Sequence, residues 1–215
     1  MTYTDLVNNV LRRLREDEVE FVAQSSYSKL IGDFVNDAKT IVESAWKWSG
    51  QKQEVTVNAS VGDRSYSLPG SGVAFQLVNA INNTSDNFLE YQTVNWFDKQ
   101  INTQDLVQGS PSFYTVRGFD SNKDSIVEIY PIPDNSYTLL FNIIKDPVDL
   151  VEDTDELLCP HQPIIQMAFA MALRERGETG GQSAGEQFVI AEMFLSDAIA
   201  LDANRNPEQL IWKTV

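Results

Sequence analysis

Apolar positions along this chain recur first at helical spacing, then in alternation, then at helical spacing again. Leu6, Val7, Val10, Leu11 and Leu14 return every three or four residues, and Thr2 or Thr4 stands where a helix needs an N-cap. Beyond the acidic break Glu16-Asp17-Glu18 comes a longer stripe: Tyr27, Leu30, Ile31, Phe34, Val35, Ala38, Ile41, Val42, Ala45 and Trp46. It predicts a second helix of about five turns, with Ser25, Ser26 and Ser28 as capping candidates.

The period changes at Gln53. Val55, Val57 and Ala59 alternate with Thr56 and Asn58, and Gly62-Asp63 marks a turn before Tyr66-Ser67-Leu68-Pro69. Further strand patterns cover Val73–Ile81, Phe88–Val94, Ser112–Arg117, Ser125–Tyr130 and Tyr137–Ile144, with Asn95–Gln100 as a short helical or turn insertion. About seven short strands between Gly, Pro, Asn and Asp clusters predict a small antiparallel sandwich or barrel.

The acidic run Asp149–Glu156 leads back to helical spacing. Pro160 or Pro163 suits the first turn of a helix, where the missing N–H costs little. Ile164, Ile165, Ala168, Met171, Ala172 and Glu175 continue that helix, and Gly177, Gly180, Gly181 and Gly185 interrupt it. A last helix from about Glu186 to Asn204 is expected to bury Phe188, Ala191, Phe194, Leu195, Ala198 and Ile199. Asn206-Pro207 stops it and leaves the tail Glu208–Val215. The predicted class is therefore α+β. Residues 1–51 and 150–215 form an antiparallel helical bundle domain, and residues 52–149 form an inserted small antiparallel β-sandwich or barrel.

At 215 residues the chain can bury one sizeable core or two small ones. Its formal net charge of −15 speaks against general affinity for nucleic acid, which needs lysine and arginine to displace counterions from phosphate. Cys159 is the single cysteine, so no intrachain disulfide can form. Met1-Thr2-Tyr3-Thr4-Asp5 has no basic flank or apolar core of a signal peptide, and no apolar run nears the roughly 20 residues that span a bilayer. Synthesis and assembly in the cytoplasm, with no membrane partner, are expected.

No catalytic motif emerges. His161 is the sole histidine, and without a second imidazole or a cysteine cluster no metal site of the usual type can be built. Its place near a helix start fits a capping role. Asp120-Ser121-Asn122-Lys123-Asp124 opens like a calcium loop, but Ser125 replaces the required glycine and Pro131 the required glutamate, so a polar hairpin turn fits better. The glycine cluster after Gly177 lacks the Gly-Lys-Ser/Thr ending of a phosphate loop and reads as a connector. No cofactor and no metal is expected.

Two features resist a local explanation. Leu210, Ile211 and Trp212 lie past the Pro207 stop, where termini are usually polar. They form either a docking element or a segment folded back on its own core. Trp46-Lys47-Trp48, at the helix-to-strand junction, is expected to weld the β module to the helices.

Several segments, in order, resemble the head-to-tail adaptor proteins of short-tailed double-stranded DNA phages, the tail-tubular-A and head-completion type. They are the Phe34–Ser49 helix ending in Ala-Trp-Lys-Trp, Arg64–Pro69, Gly109–Gly118, Ile129–Asp134, and the helix from Pro160 to Arg176. The resemblance implies a non-enzymatic structural protein of the virion neck. It implies a ring of about twelve copies that matches the portal's symmetry and surrounds the DNA channel. It further implies portal docking through the helical domain, a β module turned towards the tail nozzle and fibres, and DNA passing through without specific binding. C-terminal segments of such adaptors enter crevices on the portal, so Leu210, Ile211 and Trp212 become the portal-docking residues, with Lys213 at the polar rim. The competing reading is a receptor- or carbohydrate-binding β module on a helical stalk, with Trp96, Phe97, Phe113 and Tyr114 on an open sheet face. A carboxylate-based hydrolase is a further alternative that no motif supports.

Overall fold

The computed structural model describes residues 1–72, 75–102, 105–145, 148–177 and 182–205. The fold is mixed α+β, and contacts divide it into two compact units: Met1–Gln51 with Pro147–Val215, and Lys52–Asp146.

The first unit holds helices α1 (Tyr3–Arg13), α2 (Ser26–Ala45), α4 (His161–Arg176) and α5 (Gln182–Ala203). Of the two cap candidates for α1, Thr2 is used. Its hydroxyl accepts from the Asp5 N–H, while the Asp5 carboxylate accepts from the Thr2 N–H at 3.1 Å. Those bonds hold the Asp5 carboxyl below its ordinary pKa, the backbone bond foremost. Ser25 caps α2 through the Ser28 N–H at 2.9 Å. Leu6, Val7, Val10, Leu11, Ile31, Val35, Ala38 and Val42 then meet Ile164, Ile165, Ala168 and Ala172 in one core. α1 crosses α2 closely at Gly32, where a Cβ would come within 2.5 Å of the Tyr3 hydroxyl oxygen. α4 is central: it packs against α1, α2 and α5, and residues on most of its circumference are buried.

The predicted stripe of α2 needs correcting near its end, where Ala45 is exposed as well as Ile41. Lys39 and Glu43, by contrast, are buried. Lys39 Nζ donates to Glu43 at 2.7 Å and to the Val148 carbonyl at 2.6 Å, and Cys159 Sγ lies 3.7 Å from the other Glu43 oxygen. Satisfying both charges internally lets an ion pair sit where an apolar stripe would. The segment after Val148 is held in the same manner. Asn36 grips both backbone groups of Leu150, at 2.9 and 3.1 Å. Asp153 Oδ1 accepts from the Val22 N–H and the Thr4 hydroxyl. The acidic run is thus a strap of satisfied hydrogen bonds across α1 and α2.

The second unit is a nearly closed, barrel-like sheet of seven strands: β1 (Lys52–Ala59), β2 (Ser65–Leu68), β3 (Gln76–Asn82), β4 (Asn87–Tyr91), β5 (Phe113–Phe119), β6 (Ser125–Tyr130) and β7 (Tyr137–Ile144). Their spatial order is β1-β7-β3-β4-β5-β6-β2, with contact between the end strands β1 and β2. Period-two residues point to one core, with Val55, Val57 and Ala59 from β1 meeting Leu139, Phe141 and Ile143 from β7. The expected all-antiparallel pattern fails at one point: β4 and β5 pair in parallel, Glu90 with Phe113 and Tyr91 with Tyr114. A parallel step needs a crossover, and α3 (Val94–Asn102) lies between the two strands in sequence. The ambiguous insertion is therefore a helix, and the strand expected to end at Val94 stops at Tyr91. The strand expected from Val73 begins at Gln76, residues 73 and 74 lying outside the described residues.

Replacing Lys39 alone tests the buried pair. Lys39→Met strands the Glu43 carboxylate and is expected to lower stability by about 3–5 kcal/mol. Lys39→Met with Glu43→Leu should recover most of that loss, as read from urea midpoints at equal slope.

Candidate docking surface

The geometry that leads to the C-terminal tail begins in α5. Its inner face carries Ala184, Ala191 and Ala198, all buried, with Phe188, Leu195 and Ile199 partly buried against the core. Gln187 donates to the buried Gln166 of α4 at 2.6 Å. In the last turn, Asp202 accepts from Trp46 Nε1 at 3.0 Å and from the Ser49 N–H at 3.1 Å, which pins the end of α5 to the end of α2. Trp48 is buried too, its indole donating to the Val42 carbonyl at 2.8 Å. Both indoles thus belong to the helical core, Trp46 packing against it and Trp48 within it. α5 begins at Gln182, so Gly185 lies within the helix and does not break it. The expected docking residues Leu210, Ile211, Trp212 and Lys213 lie outside the described residues, as do all of 206–215.

The outer face of α5 carries a feature that the predicted inner stripe missed. Ile190, Met193, Phe194 and Leu201 share one exposed side of the helix, Met193 exposed by 62% and Leu201 by 68%, with the exposed Asp197 between Phe194 and Leu201. Val189 adjoins them. Phe194, expected inside, lies at the margin between the faces and is 38% exposed. The signal was present in the sequence: α5 has more large apolar side chains than one helix face can hide.

The aromatics of the carbohydrate reading are placed differently from its requirement. Phe97 is fully buried and Tyr114 nearly so, its ring edge-on to Phe141 at 6.2 Å. Trp96 packs against Phe113 at 5.1 Å and Tyr130 at 5.5 Å. Instead of forming an open face, they seat α3 on the sheet.

The model of the SU10 adaptor protein family matches residues 1–209. The chain belongs to that family. No curated protein matches it. The match runs through both helical segments and all seven strands. Membership makes the chain a phage adaptor protein and a component of the virion. Among the described residues, no helix is long and apolar enough to cross a membrane.

The remaining candidates for chemistry in this adaptor serve its own fold. His161 is the first residue of α4 but makes no capping bond, and its ring lies 3.4 Å from the Gln162 side-chain amide. Asp120 accepts from the Asn122 and Asp124 N–H groups at 2.8 and 2.9 Å and from the Ser67 hydroxyl at 2.6 Å, which makes the calcium-like sequence a hairpin turn between β5 and β6. In the same turn Lys123 adopts a positive φ of 65°. Gly177, at φ 66°, closes α4 as a left-handed C-cap.

Cys159 beside Glu43 is the poorest nucleophile such a setting allows. Burial, then the Glu43 charge, pushes the thiol up to about 12. A raised pKa keeps it protonated far above neutrality. Iodoacetamide at pH 8 is expected to label folded protein at least ten-fold more slowly than urea-unfolded protein, as followed by intact mass.

Proposed function

We propose that this chain is the structural joint between a phage portal and its tail. About twelve copies form a ring that surrounds the DNA channel, continues the portal's symmetry and carries the nozzle and fibres. The observation that carries this reading is the SU10 adaptor match across residues 1–209. The chain acts through placement and contact, not catalysis.

Labour divides between the two parts of the chain. Residues 1–51 and 150–215 act as one docking domain, an antiparallel helical bundle whose long faces suit side-by-side packing and portal contact. Residues 52–149 act as an inserted domain, whose hairpin turns accept the nozzle and fibres. The net charge of −15 supports a channel lining that repels phosphate and lets the duplex slide. With DNA held off in this way, no measurable duplex binding is expected near physiological salt. A shifted band of linear DNA in a gel at that salt would remove the sliding argument while leaving the adaptor assignment intact.

Leu210, Ile211 and Trp212 anchor the C-terminal tail in a portal crevice, and Lys213 sits at its rim. Pro207 turns the chain off the α5 axis, and each large apolar side chain that finds a pocket contributes roughly 1.5–3 kcal/mol. Deleting Glu208–Val215, or changing Trp212→Ala, should leave the melting curve of the free chain unchanged and weaken co-sedimentation with portal rings ten-fold or more. A truncated chain that assembles normally, or one that unfolds, would show that the tail has another role.

A further inference from the structure

Within the helical unit, α5 packs chiefly against α4, while α1 and α2 cover other sides of α4 and pack against each other. The outer face of α5 and the α1–α2 connection (residues 14–25) thus lie on different sides of α4. Each exposes apolar surface. On α5 it is Ile190, Met193, Phe194 and Leu201; in the connection it is Phe21, in a segment that Asn8 ties to α1 through both backbone groups of Val19. A helix that is apolar on both faces is normally buried on both.

The two surfaces also carry charges that nothing in the same chain neutralises. Glu186, Glu192 and Asp197 are exposed on α5 and form no ion pair among the described residues. Arg205, just past the end of α5, and Lys47, next to the Trp46 that Asp202 holds, are exposed cations there. Around the connection, Glu16 and Glu18 are taken by Arg176 and Arg12. Arg13, Arg15 and Lys29 are left without a carboxylate, and Asp17 and Glu20 without a cation. Arg13 is the most telling of them. It is half-buried, and burial, then the Arg12 charge beside it, lowers its pKa with no carboxylate to offset this. A guanidinium so held gains more from an incoming carboxylate than a solvated one does. Pairing α5 with α5 would set carboxylates against their own copies. Pairing α5 with the connection sets them against Arg13, Arg15 and Lys29, and leaves Arg205 and Lys47 for Asp17 and Glu20.

We infer that the outer face of α5 docks on the α1–α2 connection of a second copy of this chain, its apolar stripe towards Phe21 and its carboxylates towards Arg13, Arg15 and Lys29. The inference rests on the ring reading and names the two faces that meet in it. Because the faces differ, each docked pair still offers one of each, so the contact runs head to tail and repeats until the rotation closes it. A self-complementary contact would stop at two copies.

The test uses the full chain, with and without portal rings of the same phage, and counts adaptor copies per assembly by native mass spectrometry. Arg13→Glu with Arg15→Glu reverses the connection; Glu192→Arg with Asp197→Arg reverses α5. Either variant alone meets like charge at every contact and should form rings ten-fold or more poorly, with the free chain's circular dichroism melt unchanged. Should Arg13→Glu alter the melt, Arg15→Glu with Lys29→Glu takes its place. Mixed one to one, each variant meets a complementary face on the other, so rings with the two in alternation should return. Normal rings from either variant alone overturn this inference and leave the ring reading standing. A mixture that stays unassembled overturns it too, since residues that served the portal instead would not be rescued by mixing. An unsubstituted chain that forms no ring, with portal or without, overturns the ring reading together with this one.

Discussion

Everything in the helical unit depends on burying α4 on nearly all sides. Ile164, Ile165, Met167, Ala168, Ala170, Met171 and Ala172 leave it with hardly a wet face. One neighbouring helix cannot satisfy that demand, so α1 and α2 must come from one end of the sequence and α5 from the other. Closing the large loop between these segments costs entropy that grows only slowly with its length. The strap from Leu150 to Asp155 offsets part of that cost with directed bonds. Asn36 reads the Leu150 backbone, the Tyr3 N–H donates to the Asp155 carbonyl at 2.9 Å, and Asp153 joins Val22 to Thr4. Apolar residues of equal volume would serve as well energetically as the buried Lys39–Glu43 pair.

The strand unit solves a different problem, the open sheet edge. Its seven strands curl until β1 and β2, the ends of the order, come into contact, which limits the exposed ladder that would otherwise invite pairing with other chains. Curvature is helped by register shifts in β3 and β5, between Leu77 and Asn79 and between Val116 and Gly118. α3 is fixed to the sheet by aromatic contacts and by charge. Arg117 bridges Asp98 of α3 and the buried Glu128 of β6 at 2.6 and 2.7 Å, and the Asp98 bond foremost raises its pKa.

An adaptor needs rigid faces and few reactive groups, and the side chains here are spent accordingly. Carboxylates cap helices, order turns or hold the strap, and the thiol is protonated and half-buried. Among the described residues, α5 exposes Val189, Ile190, Met193, Phe194 and Leu201. The family relation and this distribution of surface point to the same activity, which is holding other proteins in place.

Much of this architecture was legible in the amino-acid sequence, because period is a local property. The 3.6-residue spacing of Leu6 to Leu14 and of Tyr27 to Trp46 can be satisfied only by a helix with one buried face, and the alternation of Val55, Val57 and Ala59 only by a strand. Thr2 and Ser25 capped where their chemistry demanded. The tertiary structure decided what local pattern cannot encode. Ile41 faces out and Lys39 in because two partners distant in sequence, Val148 and Cys159, surround the charge. β4 and β5 run parallel because α3 returns the chain in the same direction. Trp46 and Trp48 bury among helices because Asp202, more than 150 residues away, comes to meet the first of them. Periodicity names the faces of an element; only packing decides which of two apolar faces is covered, and on α5 it covered one.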